Sequence, residues 1–263
     1  MKSILCSLIV VAAVLTAVSP TKGSDFFDFF RRKGGAGVST SRNELSGLSQ
    51  DQMIGALKEA LSQGVEKAVL SLGREDGFLK DVGVKIPVPE NLQVVEKTLR
   101  TLGQDKLADE FVTTMNRAAE RAVPEAAAVL SDSVRQMSIS DAKEILTGTN
   151  NAATQYFRRT SETNLYQRLL PIVQKATKET GVTSAYKKMT AKATGGFAGF
   201  GLSVLGVEAP DIDSYVTHKT LDGLFVKIAD QEKLIRENPA ARVTGLLEKV
   251  FGATSLNASK PGR

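Results

Sequence analysis

Apolar residues recur at helical spacing along most of this 263-residue chain, and this pattern constrains its fold more than any other feature. The first stripe has an apolar side chain every three or four positions, at Met53, Leu57, Leu61, Val65, Ala68 and Leu72. Such spacing buries one face of an amphipathic helix. Similar stripes follow, and they predict roughly nine helices joined by short connections. We therefore expect an all-α fold, formed by a single globular multi-helix bundle.

The sequence contains no convincing strand pattern. No stretch alternates apolar and polar residues with enrichment in β-branched side chains, as a half-buried strand does. Residues 82–88 come nearest, but Gly83 and Pro87 interrupt them. Glycine weakens a strand interior and proline removes a ladder hydrogen bond. This segment is therefore expected to be an extended loop, or an edge segment at most.

Capping residues indicate where the first helices begin and end. Ser49 and Gln52 have the spacing of a capping box at the start of the first helix. Gly73 directly follows the last apolar residue of the first stripe, so the helix is expected to end there. Two serines precede the stripe that contains Ile145, and we prefer Ser140 as its N-cap.

The second half of the chain gives similar signals. One helix is expected to begin at Asn150 or Asn151, and Pro171 predicts a kink or a restart in the pattern that follows. Asp211 or Asp213 is expected to cap the next long helix, and residues 243–250 fit a final one.

The first 23 residues have the layout of a secretory signal peptide. Lys2 supplies a positive charge, residues 4–18 form an apolar run and small residues follow. The run is shorter than the ~20 residues that span a bilayer. We predict export to the periplasm, the medium or the lumen of the secretory pathway. The alternative is an uncleaved N-terminal segment that anchors the protein in a membrane.

Residues 24–48 combine an aromatic and basic segment with a linker rich in glycine and serine. The segment either contacts an anionic membrane surface or packs onto the domain. Its candidate membrane-contacting residues are Phe26, Phe27, Phe29, Phe30, Arg31 and Arg32. Residues 197–205, within a glycine-rich segment at 191–206, are a second apolar candidate. That segment lacks the glycine spacing of nucleotide-binding loops.

The chain is therefore expected to have four parts. These are a signal peptide at 1–23, a linker at 24–48, an all-α domain at 49–252 and a flexible tail at 253–263.

Few residues are able to carry acid–base, nucleophilic or metal chemistry. His218 is the only histidine and Cys6, within the leader, the only cysteine, which excludes a Cys/His zinc site and a Cys–His nucleophile pair. Asp211 and Asp213 begin like a calcium-binding EF-hand loop, but Tyr215 stands where an oxygen ligand is required. No cofactor motif is present, so no cofactor is expected. A net charge of +5 is weak evidence for a nucleic-acid partner, and none is expected.

Five residues are candidates for ligand or partner binding. Tyr156 and Arg158 place an aromatic ring beside a cation, and Tyr215, His218 and Asp222 follow later in the chain. His218 and Asp222 are four residues apart, so they share a helix face, and a hydrolase would use them as a pair. However, no G-x-S-x-G motif accompanies them. A lone histidine at the edge of an apolar stripe is more typical of a structural or solvated residue.

Several blocks of the sequence resemble a known family, the domain-of-unknown-function family 4197. The blocks lie at residues 145–158, 165–173, 211–225 and 235–252. The most specific part is the pair of motifs LDGLF and KVFG near the C-terminus, and the resemblance covers residues 48–252. Members are mostly bacterial, usually carry a secretion signal and have no established activity. The resemblance therefore implies an exported helical domain and implies no reaction.

The leading hypothesis is a non-enzymatic, exported domain that binds a protein partner or a small apolar ligand between its helices. It rests on the leader, the helical periodicity and the lack of a recognisable catalytic set. One alternative is a hydrolase that uses His218 or a carboxylate site. Another is a peripheral membrane protein attached through the aromatic and basic segment.

Overall fold

The computed structural model describes residues 49–193 and 211–237, and within them the fold is all-α, as the sequence predicts. These residues form eight α-helices and two short 3₁₀ helices, with no strand. The predictions for the leader, the aromatic and basic segment, the final helix and the tail lie outside the described residues. Most of the glycine-rich segment lies outside them as well.

The helices follow one another with short connections. In chain order they are α1 (Gln50–Gly73), α2 (Gln93–Thr101), α3 (Asp105–Ala122), α4 (Ala126–Gln136), α5 (Ile139–Thr147), α6 (Ala152–Thr180), α7 (Val182–Ala193) and α8 (Ile212–Glu237). The 3₁₀ helices, Glu90–Leu92 and Val123–Glu125, lead into α2 and α4.

The N-caps agree with the sequence at α1 and differ at α5. The Ser49 side chain accepts the backbone N–H of Gln52, whose side chain accepts the N–H of Ser49 in return, so the predicted capping box is confirmed. At α5 the N-cap is Ser138, which forms the same box with Asp141. The prediction of Ser140 is therefore wrong. The carboxylate three residues after Ser138 completes the box and favours the earlier serine.

The helix α6 runs without a restart from Ala152 to Thr180, although Pro171 lies inside it. The sequence predicted a kink or a restart at Pro171, and of these two the restart is wrong. Pro171 lies on the exposed side, while Leu169 and Val173 on either side of it are buried. Because the buried stripe continues across the proline, tertiary packing compensates for the missing N–H.

The described helices share one apolar core. The two longest helices, α6 and α8, pack against each other; α6 also contacts α3 and α4, and α8 also contacts α1. Phe111, Phe157 and Phe225 are among the largest fully buried side chains. Burying each such side chain contributes about 1.5–3 kcal/mol, so the core stabilises the relative positions of α6 and α8.

Residues 74–88, here called the strap, cross from α1 to the 3₁₀ helix before α2 without forming helix or strand. Residues 82–88 form a loop and no strand, as predicted, but 82–84 are a turn and not an extended segment. Two buried side chains of α3 hold the strap. Glu120 accepts the backbone N–H groups of Phe78 and Leu79, at 3.1 and 3.2 Å. Asn116 bonds both the N–H and the carbonyl of Ile86, each at 2.9 Å.

Candidate functional site

The packing of α6 against α8 brings three of the five candidate residues onto one face. The Arg158 guanidinium lies 3.9 Å from the Asp222 carboxylate, and its central carbon lies 4.4 Å from the centroid of the Phe225 ring. The first contact is an exposed ion pair and the second a cation–π contact. Both join the two helices, so Arg158 has a packing role at this face.

The third residue of this face, His218, is exposed and stacks on an aromatic ring. Its imidazole lies 4.6 Å from the Tyr166 ring, centroid to centroid, with 29° between the planes. The Tyr166 hydroxyl hydrogen-bonds to Ser214 Oγ at 3.1 Å, and Ser214 Oγ donates to Asp211 at 2.7 Å. Within residues 49–193 and 211–237, no hydrogen bond joins His218 to a serine or to a carboxylate.

The hydroxyls of the other two candidates, Tyr156 and Tyr215, bond to backbone carbonyls. Tyr156 is buried, and its hydroxyl donates to the carbonyl of Ser133 at 2.9 Å. Tyr215 donates to the carbonyl of Pro87 in the strap at 3.0 Å. Burial raises the pKa of Tyr156, and burial followed by the nearby Glu90 raises the pKa of Tyr215 to about 12. Both phenols are therefore neutral and bonded at ordinary pH.

Sequence reasoning missed the buried polar residues that organise the helix ends. Glu232 of α8 accepts the backbone N–H groups of Ala153 and Thr154, both at 3.0 Å, and pairs with Arg236 at 2.9 Å. Glu120 holds the strap and pairs with Arg117 at 2.7 Å. Structural partners bond to both oxygens of each carboxylate, so a role in holding the fold accounts for their burial.

An open groove of about 990 Å³ separates the strap from the C-terminal half of α8. Two exposed apolar side chains line it, Val82 at 96% and Leu234 at 46%. Its charged lining consists of four cationic and four anionic side chains: Arg74, Lys80, Lys227 and Lys233, and Asp76, Asp81, Asp230 and Glu237.

Ion pairs neutralise much of the groove. Lys80 lies 2.6 Å from Asp76, and Lys227 lies 2.6 Å from Asp81 and 3.3 Å from Asp230. The groove therefore combines two exposed apolar residues with a polar border of both signs.

Two other pockets differ from this groove. A polar crevice of about 670 Å³ is bordered by Arg117, Arg121 and Glu179. A more enclosed apolar pocket, bordered by Leu57 and Ile145, holds only about 10 Å³. A cavity that small admits about one water molecule, so this pocket is too small for an apolar ligand.

Two further kinds of site are absent from the described residues. In residues 49–193 and 211–237, no three His, Cys, Asp or Glu side chains lie close enough together to bind a metal ion. No helix in the same ranges is long and apolar enough to cross a membrane.

The described residues thus form an all-α domain with an open, charged groove on its surface. Residues 47–252 match the family described as "Protein of unknown function (DUF4197)", and the chain belongs to this family. The resemblance stated above is thereby confirmed. No curated protein and no solved structure matches the chain.

Proposed function

We propose that this chain is an exported, non-enzymatic interaction module that binds a protein partner in the groove between the strap and α8. The observation that carries the proposal is the pair of exposed apolar side chains there, Val82 and Leu234, within a border of paired charges. A partner that covers them removes apolar surface from water, at about 25 cal/mol per Å².

A protein partner accounts for the groove better than a small apolar ligand does. Small ligands are mostly enclosed by the sites that bind them, in pockets lined mainly by apolar side chains. The groove is open, and charged side chains make up most of its lining. The enclosed apolar pocket beside Leu57 holds about 10 Å³. The chemistry of the groove therefore suits the side chains and backbone of another polypeptide.

The contacts of His218 and Asp222 favour binding over catalysis. Histidine acts as a general base when it lies within hydrogen-bond reach of a nucleophile and is oriented by a third group. His218 instead stacks on Tyr166, and Asp222 pairs with Arg158 and Lys219. These contacts support a structural role for both residues.

Export is the second part of the proposal. Residues 1–23 have the positive charge, the apolar run and the small residues near the cleavage site that are typical of a signal peptide. A partner would then be a protein that the chain meets outside the cytoplasm.

Site-specific photo-crosslinking in the producing cell tests partner binding. A photoreactive amino acid is placed at Val82, in the groove, or at Val94, which is 52% exposed on α2 and does not line the groove. We expect Val82 to give an adduct of one defined mass that Val94 does not give. Adding Leu234→Asp to the Val82 protein is expected to abolish that adduct.

The same experiment is able to overturn the proposal. Adducts of equal yield at both positions would indicate random contact. No adduct at Val82, in cells that export the chain, would show that the groove is unoccupied. Cell fractionation of the same cultures tests export separately.

A further inference from the structure

The strap is held firmly at both ends, but its tip depends on fewer contacts. Glu120 bonds the strap at Phe78 and Leu79, and Asn116 bonds it at Ile86. Between these two points lies the tip, residues 80–83, which includes the exposed Val82. The tip forms one wall of the groove, so its position sets the width of the groove.

One ion pair joins the tip to the opposite wall. Lys227 Nζ on α8 lies 2.6 Å from Asp81 Oδ2. Among the described residues, the other ion pair of the tip, Lys80 with Asp76, remains within the strap itself. The Asp81–Lys227 pair is therefore the ionic link across the groove at this point.

The surroundings of this pair make it stronger than an ordinary surface pair. The side chains of Lys227 and Asp81 are 20% and 34% exposed, so solvent screens them less. The hydrogen bond to Lys227 lowers the pKa of Asp81, and Asp81 raises the pKa of Lys227. Both side chains are thus charged over a wide range around neutral pH.

We propose that the Asp81–Lys227 pair is a latch that holds the strap tip closed against α8 and restricts the groove. Opening the latch widens the groove and leaves Lys227, still paired with Asp230, able to bind a carboxylate of the partner in place of Asp81. This inference rests on the proposed function for its purpose, but the latch itself is a property of the chain alone.

Amide hydrogen exchange of the full chain, measured by NMR without any partner, tests the latch. The reporters are the N–H groups of Val84 and Lys85, which donate to the Asp81 carbonyl at 3.1 and 2.8 Å. In Asp81→Asn the side-chain oxygen can still accept the N–H of Gly83, but the charge is lost. We expect exchange at both reporters to become about fivefold faster, the upper end of the range for exposed ion pairs, because this pair is only partly exposed.

Asp230→Asn is the matched control. It removes one carboxylate from the same lysine, but Asp230 lies on α8 with Lys227 and does not cross the groove. Exchange at Val84 and Lys85 is expected to stay at the wild-type rate in this variant. Equal acceleration in the two variants would overturn the latch.

A double-mutant cycle separates the latch from a general loss of stability. In a Lys227→Met background, Asp81→Asn is expected to have no further effect on the two reporters. An undiminished effect in that background would show that Lys227 is not the partner that matters. The buried Leu165 amide serves as an internal reference for global unfolding. Since no partner enters the measurement, failure of the latch and failure of partner binding are distinguishable.

Discussion

Glu232 of α8 caps the first turn of α6 through Thr154. Its Oε2 accepts both the backbone N–H of Thr154, at 3.0 Å, and the side-chain hydroxyl, at 2.9 Å. The residue before α6, Asn151, makes no side-chain capping bond. A carboxylate from another helix therefore supplies the cap, and its negative charge suits the positive end of the helix dipole. This contact fixes the two helices that carry His218 and Arg158.

Glu232→Ala is expected to destabilise the fold strongly. It leaves two buried backbone N–H groups without these acceptors and removes the Glu232–Arg236 ion pair, at a cost of about 3 kcal/mol in the free energy of unfolding. Urea denaturation followed by circular dichroism measures this. Glu237→Ala, an exposed carboxylate on the same helix, is the control and should change stability by less than about 0.5 kcal/mol. Equal losses in the two variants would contradict the capping role.

Two glycine-to-alanine changes are expected to have opposite effects on the free energy of unfolding. A Cβ at Gly223 of α8 would lie 2.6 Å from the Phe78 ring of the strap, so Gly223→Ala forces the strap away. At Gly55, within α1, a Cβ meets nothing within 4 Å. We expect Gly223→Ala to lose about 1–3 kcal/mol by overpacking. Gly55→Ala should gain about 0.5–1 kcal/mol from helix propensity.

Thermal unfolding of the two variants tests both predictions: the melting temperature should fall for Gly223→Ala and rise for Gly55→Ala. A Gly223→Ala variant as stable as Gly55→Ala would show that the strap does not pack closely on α8.

Tyr215 is expected to contribute to the loss of stability at alkaline pH. Its pKa is about 12 in the folded chain, because of burial and Glu90, against about 10 for an unperturbed tyrosine. Between these values the unfolded chain loses the proton first, so the free energy of unfolding falls as pH rises from about 10 to about 12. The contribution is fully present below about pH 10.

Absorbance titration of tyrosinate tests this assignment. The chain has four tyrosines, and the component that titrates last is expected to disappear in Tyr215→Phe. Tyr166→Phe is the matched control and should leave that component in place. If Tyr215→Phe leaves it unchanged, the assignment is wrong.

The chain is expected to show no turnover on a panel of ester, amide, phosphate and glycoside model substrates. His218 lacks a bonded nucleophile among the described residues, so His218→Ala and Asp222→Ala should change no rate. Lys233→Ala, on the same helix, is the control for purification background. A wild-type activity that both His218→Ala and Asp222→Ala abolish would establish the hydrolase alternative.

The sequence predicts the ends of a helix correctly where residues within one turn determine them. The Ser49 capping box and the end of α1 at Gly73 follow from residues within one turn. The Ser138 cap could also have been predicted from the local sequence, because Asp141 stands three residues after it. The continuity of α6 through Pro171 could not be predicted in this way, because it depends on the packing of Leu169 and Val173 in the core.

The candidate site was less predictable, because its contacts join distant parts of the chain. Tyr215 bonds to Pro87, 128 residues earlier, and Glu232 bonds to Thr154, 78 residues earlier. Nothing in the local sequence distinguishes Glu232 from an exposed glutamate on the same helix. The shared helix face of His218 and Asp222 was predictable, whereas the stacking of His218 on Tyr166 required the packing of α6 on α8.

The affinity for the partner recovered by crosslinking at Val82 tests the central claim most directly. Isothermal titration calorimetry would compare the wild type with Leu234→Asp, in the groove, and Val94→Asp, at a similarly exposed apolar residue outside it. We predict binding at least about tenfold weaker for Leu234→Asp, the effect of losing a central apolar contact, and wild-type affinity for Val94→Asp. Equal affinities for all three proteins would contradict the assignment of the groove as the binding site.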